Sequence, residues 1–248
     1  GSDGGSSIEF WLKKTGWTAS NTAEAVFDLW NSVASGSDEY GRCTLYIKSA
    51  NPDKMYLHVQ SGSAYSNVTL DTSLTTLADD AWHHYAVSLR NHHTEGFLGV
   101  DFYRDGKSVS KGKEQILGPG NPKGLNEVSG GLDATIGALI TAFSGEANSA
   151  KGYGKLSASM DEFRYWKSDR TDRDIGRYWF TQVEGGTNER NLTSSLGVYY
   201  KFNEGITGHQ ETDATILDYS GRISNGTWVG FVSGSSLRQT GSAMVLGQ

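Results

Sequence analysis

The sequence predicts an all-β protein, a two-sheet antiparallel sandwich with one short helix. Several short segments alternate apolar and polar residues with a period of two, which is the pattern of half-buried strands. Thirty-two glycines and only three prolines among 248 residues fit many strands joined by tight turns. A chain of this length buries roughly 70% of its unfolded surface when it folds, so such a sandwich needs no disulfide.

The strands are predicted in chain order from this alternation. In the first strand, Ile8, Phe10 and Leu12 share one face. Asp105-Gly106 between two strand patterns predicts a hairpin, because both central residues of a type I′ turn need positive φ. Residues 111–133 carry Gly, Pro and Asn and are predicted as a long loop. Strand patterns cover residues 8–13, 25–30, 44–48, 55–60, 83–89, 98–102, 134–139 and 156–166.

One helix is predicted after the last of these strands. Thr171 and Asp174 have the spacing of a capping box, so a short helix should run to about Phe180. Beyond it, residues 183–195 are polar and are predicted as a linker or long loop. We therefore expect a main domain over residues 7–182 and a distinct segment over residues 196–248.

Four segments of the main domain resemble, in their order, the laminin-G-like, concanavalin A-type jelly roll. The resemblance implies a jelly-roll sandwich, a fold that serves mostly as a binding scaffold. Fold alone does not fix function, so the ligand has to be argued from the site. The segments are IEFWLK (8–13), WHHYAV (82–87), YRDGK (103–107) and MDEFRYWKSDRTDRDI (160–175).

The C-terminal segment resembles the opening of such a module and not its end. Either residues 196–248 begin a second module, or they pack back on the sandwich. A lone unit of about 50 residues buries too little surface to be stable, which favours packing back. The opening Gly1-Ser2 predicts that the chain is a fragment of a longer protein. The resembling stretches are LGVYYKFNEG (196–205), ILDYSGR (216–222) and NGTWVG (225–230).

Composition argues against several classes of partner. A formal net charge of −6 and the lack of a basic cluster interleaved with aromatic residues argue against nucleic acid. No apolar run approaches the ~20 residues of a membrane span, so we expect no membrane insertion. The single cysteine, Cys43, lies in an apolar run and is predicted to be a buried structural thiol.

We expect no catalysis. The resembling fold also hosts glycan hydrolases and lyases, and retaining glycosidases need two carboxylates about 5 Å apart. The strand motifs that supply such a pair in those enzymes, Glu-x-Asp-x-Glu and its close variant, do not occur in this sequence. Asp161 and Glu162 are adjacent, so on a regular strand they would face opposite sides of the sheet.

The resemblance also suggests calcium, whose flexible coordination suits oxygen ligands from loops. Asp161 stands at the family's acidic position, and Asp28, Asp38 and Asp101 are candidate co-ligands, together with Glu39. The alternative is that Asp161 only accepts hydrogen bonds from backbone amides at a strand end. The calcium loop Asp-x-Asp-x-Asp-Gly is absent from the sequence.

Four aromatic residues in predicted loops are candidate platforms for a sugar ring: Trp17, Tyr40, Tyr65 and Tyr153. Glycan sites commonly combine aromatic rings with a few convergent polar groups, and Ser, Asn and Gly surround these four residues. The alternative is that each residue anchors its loop over the edge of the sandwich.

The function that we expect is a non-catalytic adhesion or recognition module of a larger protein. It would bind a cell-surface glycan or a structural protein through loops at the sandwich edge. The C-terminal stretches also resemble segments in virion structural proteins of large tailed phages, which implies an extracellular or virion-surface location and an oligomer formed through the parent protein. The alternatives are a purely architectural virion module and, third, a glycan lyase or hydrolase.

Overall fold

A computed structural model describes residues 4–17, 23–93, 95–120, 122, 124–141, 154–183, 195–205 and 207–229. Nearly half of these residues form strands, and no described helix is long and apolar enough to cross a membrane. The elements are β1 (Gly5–Lys13), β2 (Ala23–Trp30), β3 (Gly41–Lys48), β4 (Asn51–Ser61), β5 (Ala64–Asp71), β6 (Trp82–His92), β7 (Phe97–Arg104), β8 (Lys107–Gln115), β9 (Asp133–Ile136), β10 (Ser159–Trp166), α1 (Asp172–Tyr178), β11 (Leu196–Tyr200), α2 (Gln210–Asp213), β12 (Thr215–Ile216) and β13 (Gly226–Thr227).

Two antiparallel sheets pack against each other, which confirms the predicted fold class. The six-stranded sheet has the order β11-β10-β1-β6-β7-β8, and the five-stranded sheet has the order β5-β4-β3-β2-β9. Alternate residues of each sheet meet in one core, including Phe10 and Val87 from the first sheet and Leu45 and Leu57 from the second. The period-two pattern therefore identifies the core faces correctly.

The predicted hairpin and the predicted capped helix are both present. Asp105 and Gly106 have φ of 50° and 72° and join β7 to β8. Thr171 accepts a hydrogen bond from the backbone N–H of Asp174, which completes the capping box of α1. The helix ends at Tyr178, two residues before the predicted end.

Helix α1 follows a segment that is fastened to the six-stranded sheet through buried charges. Arg170 Nε donates to Glu9 Oε1 at 3.0 Å, and His84 Nε2 lies 3.5 Å from Glu9 Oε2. Burial alone would raise the pKa of Glu9, but the nearby His84 ring and the charges of Arg170 and Arg164 lower it to about 2. Glu9 therefore remains ionised in the folded protein at neutral pH, beside Arg164 of β10 and Arg170 of the segment that precedes α1.

The residues from 195 onward begin with a strand of the six-stranded sheet. Strand β11 pairs antiparallel with β10, with Tyr200 opposite Phe163. The Asp-x-Ser-Gly motif forms a turn against this strand, because Asp218 Oδ1 accepts hydrogen bonds from the backbone N–H groups of Tyr199 at 3.0 Å and Ser220 at 2.9 Å. The Asp-x-Ser-Gly motif therefore stabilises the packing of this turn against β11. The linker predicted over residues 183–195 falls mostly outside the described residues, as do residues 230–248.

Candidate functional site

The outer face of the five-stranded sheet, turned away from the core, carries an ordered array of aromatic and polar side chains. Antiparallel pairing places residues of β5, β4, β3 and β2 directly opposite one another, so their side chains form rows across the sheet. The three rows are Tyr65–Gln60–Arg42–Trp30, Asn67–His58–Thr44–Asp28 and Thr69–Tyr56–Tyr46–Ala25.

The tyrosine–histidine patch is the part of this face that consists of Tyr46, Tyr56, His58, Gln60, Tyr65 and Asn67. Asn67 is exposed, and the other five residues are half-buried. The rings of Tyr46 and Tyr56 stack with centroids 5.3 Å apart, and the ring of His58 lies 6.3 Å from that of Tyr65. Lys48 Nζ lies 5.3 Å from the Tyr46 ring centroid and 5.8 Å from that of Tyr56. The patch thus offers aromatic surface with one ammonium group beside it.

Hydrogen bonds hold the polar groups of the patch in place. His58 Nδ1 lies 2.7 Å from Asn67 Oδ1, and His58 Nε2 lies 3.3 Å from Gln60 Oε1. Gln60 Nε2 donates to the carbonyl oxygen of Gly62 at 2.9 Å. Polar groups fixed beside aromatic rings can make directional hydrogen bonds to a ligand without being ordered first, which lowers the entropic cost of binding.

A loop borders the patch on the side of β2 and β3. Arg42 donates to both carboxylate oxygens of Asp28, from Nε at 2.9 Å and from Nη2 at 2.6 Å. Asp28 Oδ2 also accepts the backbone N–H of Ile140 at 2.9 Å, and Arg42 Nη1 donates to Thr141 Oγ1 at 3.0 Å. Asp28 and Thr44 are fully buried beside these contacts. The ion pair therefore anchors residues 140–141 over this half of the outer face.

The candidate calcium ligands are not brought together. Asp28 is engaged by Arg42, Thr44 and Ile140, which leaves its oxygens occupied by donors. Asp161 is buried on β10, where it accepts the backbone N–H of Glu162 at 2.9 Å. This contact is a hydrogen bond from a backbone amide, as expected if Asp161 has a structural role and does not bind calcium. Asp101 lies on β7, and burial raises its pKa, although the nearby Lys111 opposes that effect.

Asp38 and Glu39 lie in the loop before β3, apart from the other candidates. Within the described residues, no three His, Cys, Asp or Glu side chains are placed to share a metal ion. The described structure therefore does not bring Asp28, Asp38, Asp101 and Asp161 together as one group of ligands, and Asp28 and Asp161 already accept hydrogen bonds from protein donors. Calcium binding stays a prediction.

The four predicted aromatic platforms have different positions. Tyr40 is only 4% exposed and cannot stack on a sugar, so that prediction is corrected. Trp17 packs half-buried against the core, with Lys14 Nζ 4.6 Å from its ring centroid. Tyr65 lies on strand β5 and not in a loop, and it belongs to the patch. Tyr153 lies outside the described residues.

Sequence reasoning missed Tyr46, Tyr56 and His58, which lie on strands and not on loops. A usable signal was present, because Met55, Leu57 and Val59 form the core side of β4. The same alternation places Tyr56 and His58 on the opposite side of the sheet.

Two facing antiparallel sheets with a polar and aromatic outer face define a concanavalin A-like β-sandwich. Residues 2–176 match the laminin G family model described as the Concanavalin A-like lectin/glucanases superfamily. The match covers more than half of the chain, so the protein belongs to this family. Among curated proteins, none matches the sequence.

Solved structures share the fold at low sequence identity. A candidate carbohydrate binding protein from Bacteroides ovatus is 21% identical, with a TM-score of 0.50 over 90% of this chain. The chain spans about half of that protein, 51% of its length. The Ruminococcus gnavus IT-sialidase CBM40, bound to alpha2,6 sialyllactose, is 11% identical, with a TM-score of 0.42. The likeness covers 71% of this chain and 83% of that chain. Tailspike protein 2 of an Escherichia coli O157:H7 bacteriophage is 12% identical, with a TM-score of 0.41, covering 79% of this chain and 23% of that chain.

Proposed function

We propose that this protein is a non-catalytic carbohydrate-binding module that holds its ligand on the tyrosine–histidine patch. The observation that carries the proposal is the array itself: stacked tyrosines beside a histidine and two amides, in register across three strands. The family includes lectins, which fits a carbohydrate ligand. The site lies on a sheet face, whereas the sequence suggested loops at the sandwich edge.

Each part of the patch has a role in such binding. The rings of Tyr46 and Tyr56 provide apolar surface against the C–H groups of a sugar, and their hydroxyls can bond to its hydroxyls. The amides of Gln60 and Asn67 supply donors and acceptors at fixed spacing. A few placed polar groups beside aromatic surface are the usual composition of a small-ligand site.

The absence of catalysis is part of the proposal. The six residues of the patch include no carboxylate, and Asp28, in the same row as His58, is held by Arg42. A retaining or inverting glycosidase needs two carboxyl groups flanking the scissile bond. An adhesive role at a cell or virion surface fits such a module and is a further prediction.

A glycan array compared across three proteins tests the proposal. The wild type should give saturable hits that Tyr56→Ala removes, because the variant loses half of the stacked tyrosine pair. The matched control is Tyr178→Ala, which deletes an exposed tyrosine at the end of α1. Circular dichroism and thermal melting should show that both variants fold.

Three results would count against the proposal. A blank array from a folded, oligomeric wild type would favour the architectural module instead. Hits that Tyr56→Ala leaves unchanged would place binding elsewhere on the sandwich. Release of reducing sugar from a bound polysaccharide would make the protein an enzyme.

A further inference from the structure

Lys48 is a half-buried cation at the end of β3, beside the tyrosine–histidine patch. Leu45 and Ile47 of this strand lie in the core, so the alternation turns Tyr46 and Lys48 to the outer face. The ammonium nitrogen of Lys48 lies 5.3 Å from the ring centroid of Tyr46 and 5.8 Å from that of Tyr56. Both distances are within the range of a cation–π interaction, so the two rings hold the ammonium group in place.

The carboxylates that flank the patch are bound to other cations. Asp28 pairs with Arg42 at 2.6 Å, and both side chains are buried. Asp53 and Asp71 both contact Lys54, at 3.2 and 3.4 Å. Among the described residues, therefore, the ammonium group beside the tyrosine pair contacts aromatic rings and forms no ion pair with a carboxylate.

An ammonium group in this position favours a ligand with an acceptor that carries negative charge. Lysine offers three N–H donors and no acceptor, and its hydrogen bonds to an anion are shorter and stronger than those to a neutral hydroxyl. The rings of Tyr46 and Tyr56 already restrict the ammonium group of Lys48, which lowers the entropy lost when a ligand binds to it.

We propose that Lys48 is a specificity-determining residue of the patch and that it selects saccharides bearing an anionic group, a carboxylate or a sulfate ester. This inference rests on the proposed function. A sugar ring packed on Tyr46 and Tyr56 brings its substituents to the ammonium group, because that group lies against the same two rings. A neutral sugar gains only a hydrogen bond there, whereas an acidic sugar also gains charge attraction.

Isothermal titration at about pH 7, where lysine is charged, tests the inference with three galactose-based trisaccharides. One is galacturonate, one is sulfated and one is neutral. At least one acidic sugar should bind roughly fivefold tighter than the neutral sugar, the effect of a partly exposed ion pair, and the better acidic sugar identifies the preferred anion. The preference should shrink as sodium chloride rises from about 0.05 M to about 0.5 M, because salt screens the charge.

Variants of Lys48 assign the preference to its charge. Lys48→Met keeps an unbranched stem over the tyrosine rings, so it should lose the preference and leave binding of the neutral sugar unchanged. Lys48→Arg should retain the preference, because the charge remains. The matched control is Lys113→Met, since Lys113 also lies over an aromatic ring, 4.2 Å from the centroid of Phe97, but on the six-stranded sheet. This control should bind all three sugars as the wild type does.

The outcomes separate this inference from the proposed function. Equal affinity for the acidic and neutral sugars, or a preference that survives Lys48→Met, would overturn the inference and leave carbohydrate binding intact. No binding of any sugar by the folded wild type would refute the proposed function, and the selectivity with it. A ligand-free readout is the NMR signal of the Lys48 Cε protons, which the rings should shift upfield and Tyr46→Leu should shift back. An unshifted signal in the wild type would refute the placement of the ammonium group.

Discussion

Replacement of Arg42 by methionine should destabilise the protein strongly. Both partners of the Arg42–Asp28 pair are buried, with side chains 3% and 0% exposed, and two hydrogen bonds of 2.9 and 2.6 Å join them. Removing one partner leaves a buried carboxylate without its counter-ion, at a cost of about 3–5 kcal/mol. At 2–4 °C per kcal/mol for a chain of this size, the melting temperature should fall on the order of 10 °C.

Differential scanning calorimetry and urea unfolding measure this loss. The double variant Arg42→Met/Asp28→Asn should regain part of it, since the uncompensated charge is then gone. Lys54→Met is the control, because Lys54 pairs with Asp53 and Asp71 at an exposed position where ion pairs contribute little. A loss for Arg42→Met no larger than that of the control would show that the pair is not buried. Recovery of stability on adding calcium would show that Asp28 has a role other than anchoring residues 140–141.

Three further predictions concern the six-stranded sheet and α1. The pKa of Glu9 is lowered from 4.5 to about 2, so its stabilisation is fully present above pH 4.5 and is lost as the pH falls through about 2. Glu9→Gln should flatten the acid limb of stability against pH, and an unchanged limb would contradict the buried network. Gly106→Ala should lower the melting temperature, because φ is +72° and an added Cβ would collide with Trp179; normal stability would mean that this contact does not form. Deletion of residues 196–248 removes the strand that pairs with β10, together with the Tyr199 hydroxyl that donates to Glu162. The truncated protein should melt at a lower temperature, and unchanged melting would show that the segment is independent of the sandwich.

The fold class was predictable because the two sheets share one core. Burial on one face imposes the alternation that Ile8, Phe10 and Leu12 display, and a capping box is readable from two side chains three residues apart. The prediction was wrong where that constraint is absent. Strand β8 extends to Gln115, although residues from 111 onward were predicted as a loop. The prediction missed this edge strand because it is polar and largely exposed and carries no apolar alternation.

Local irregularity also limited the prediction at Asp161 and Glu162. Glu162 has φ of +51°, and the pairing of β1 with β10 shifts register nearby. Glu162 bonds to Arg164 Nη2 at 2.9 Å on the outer side of the sheet. The rule that adjacent strand residues face opposite sides does not hold across such a bulge.

The candidate site was only partly predictable. Alternation separates two faces of a strand, and it identifies Tyr56 and His58 as lying opposite the core. It does not show that residues 140–141 cover Asp28, since that depends on tertiary contacts of a loop. Tyr40 was misjudged for the same reason: loop residues that close a sandwich edge are often buried, and composition does not reveal it.

A ¹H–¹⁵N correlation titration with a glycan identified on the array tests the central claim most directly. Binding to the sheet face predicts that the shifted amides cluster on β3, β4 and β5 around Tyr46, His58 and Asn67. Shifts confined to the edge loops near Trp17 and Asp38, with those strands unchanged, would contradict the account.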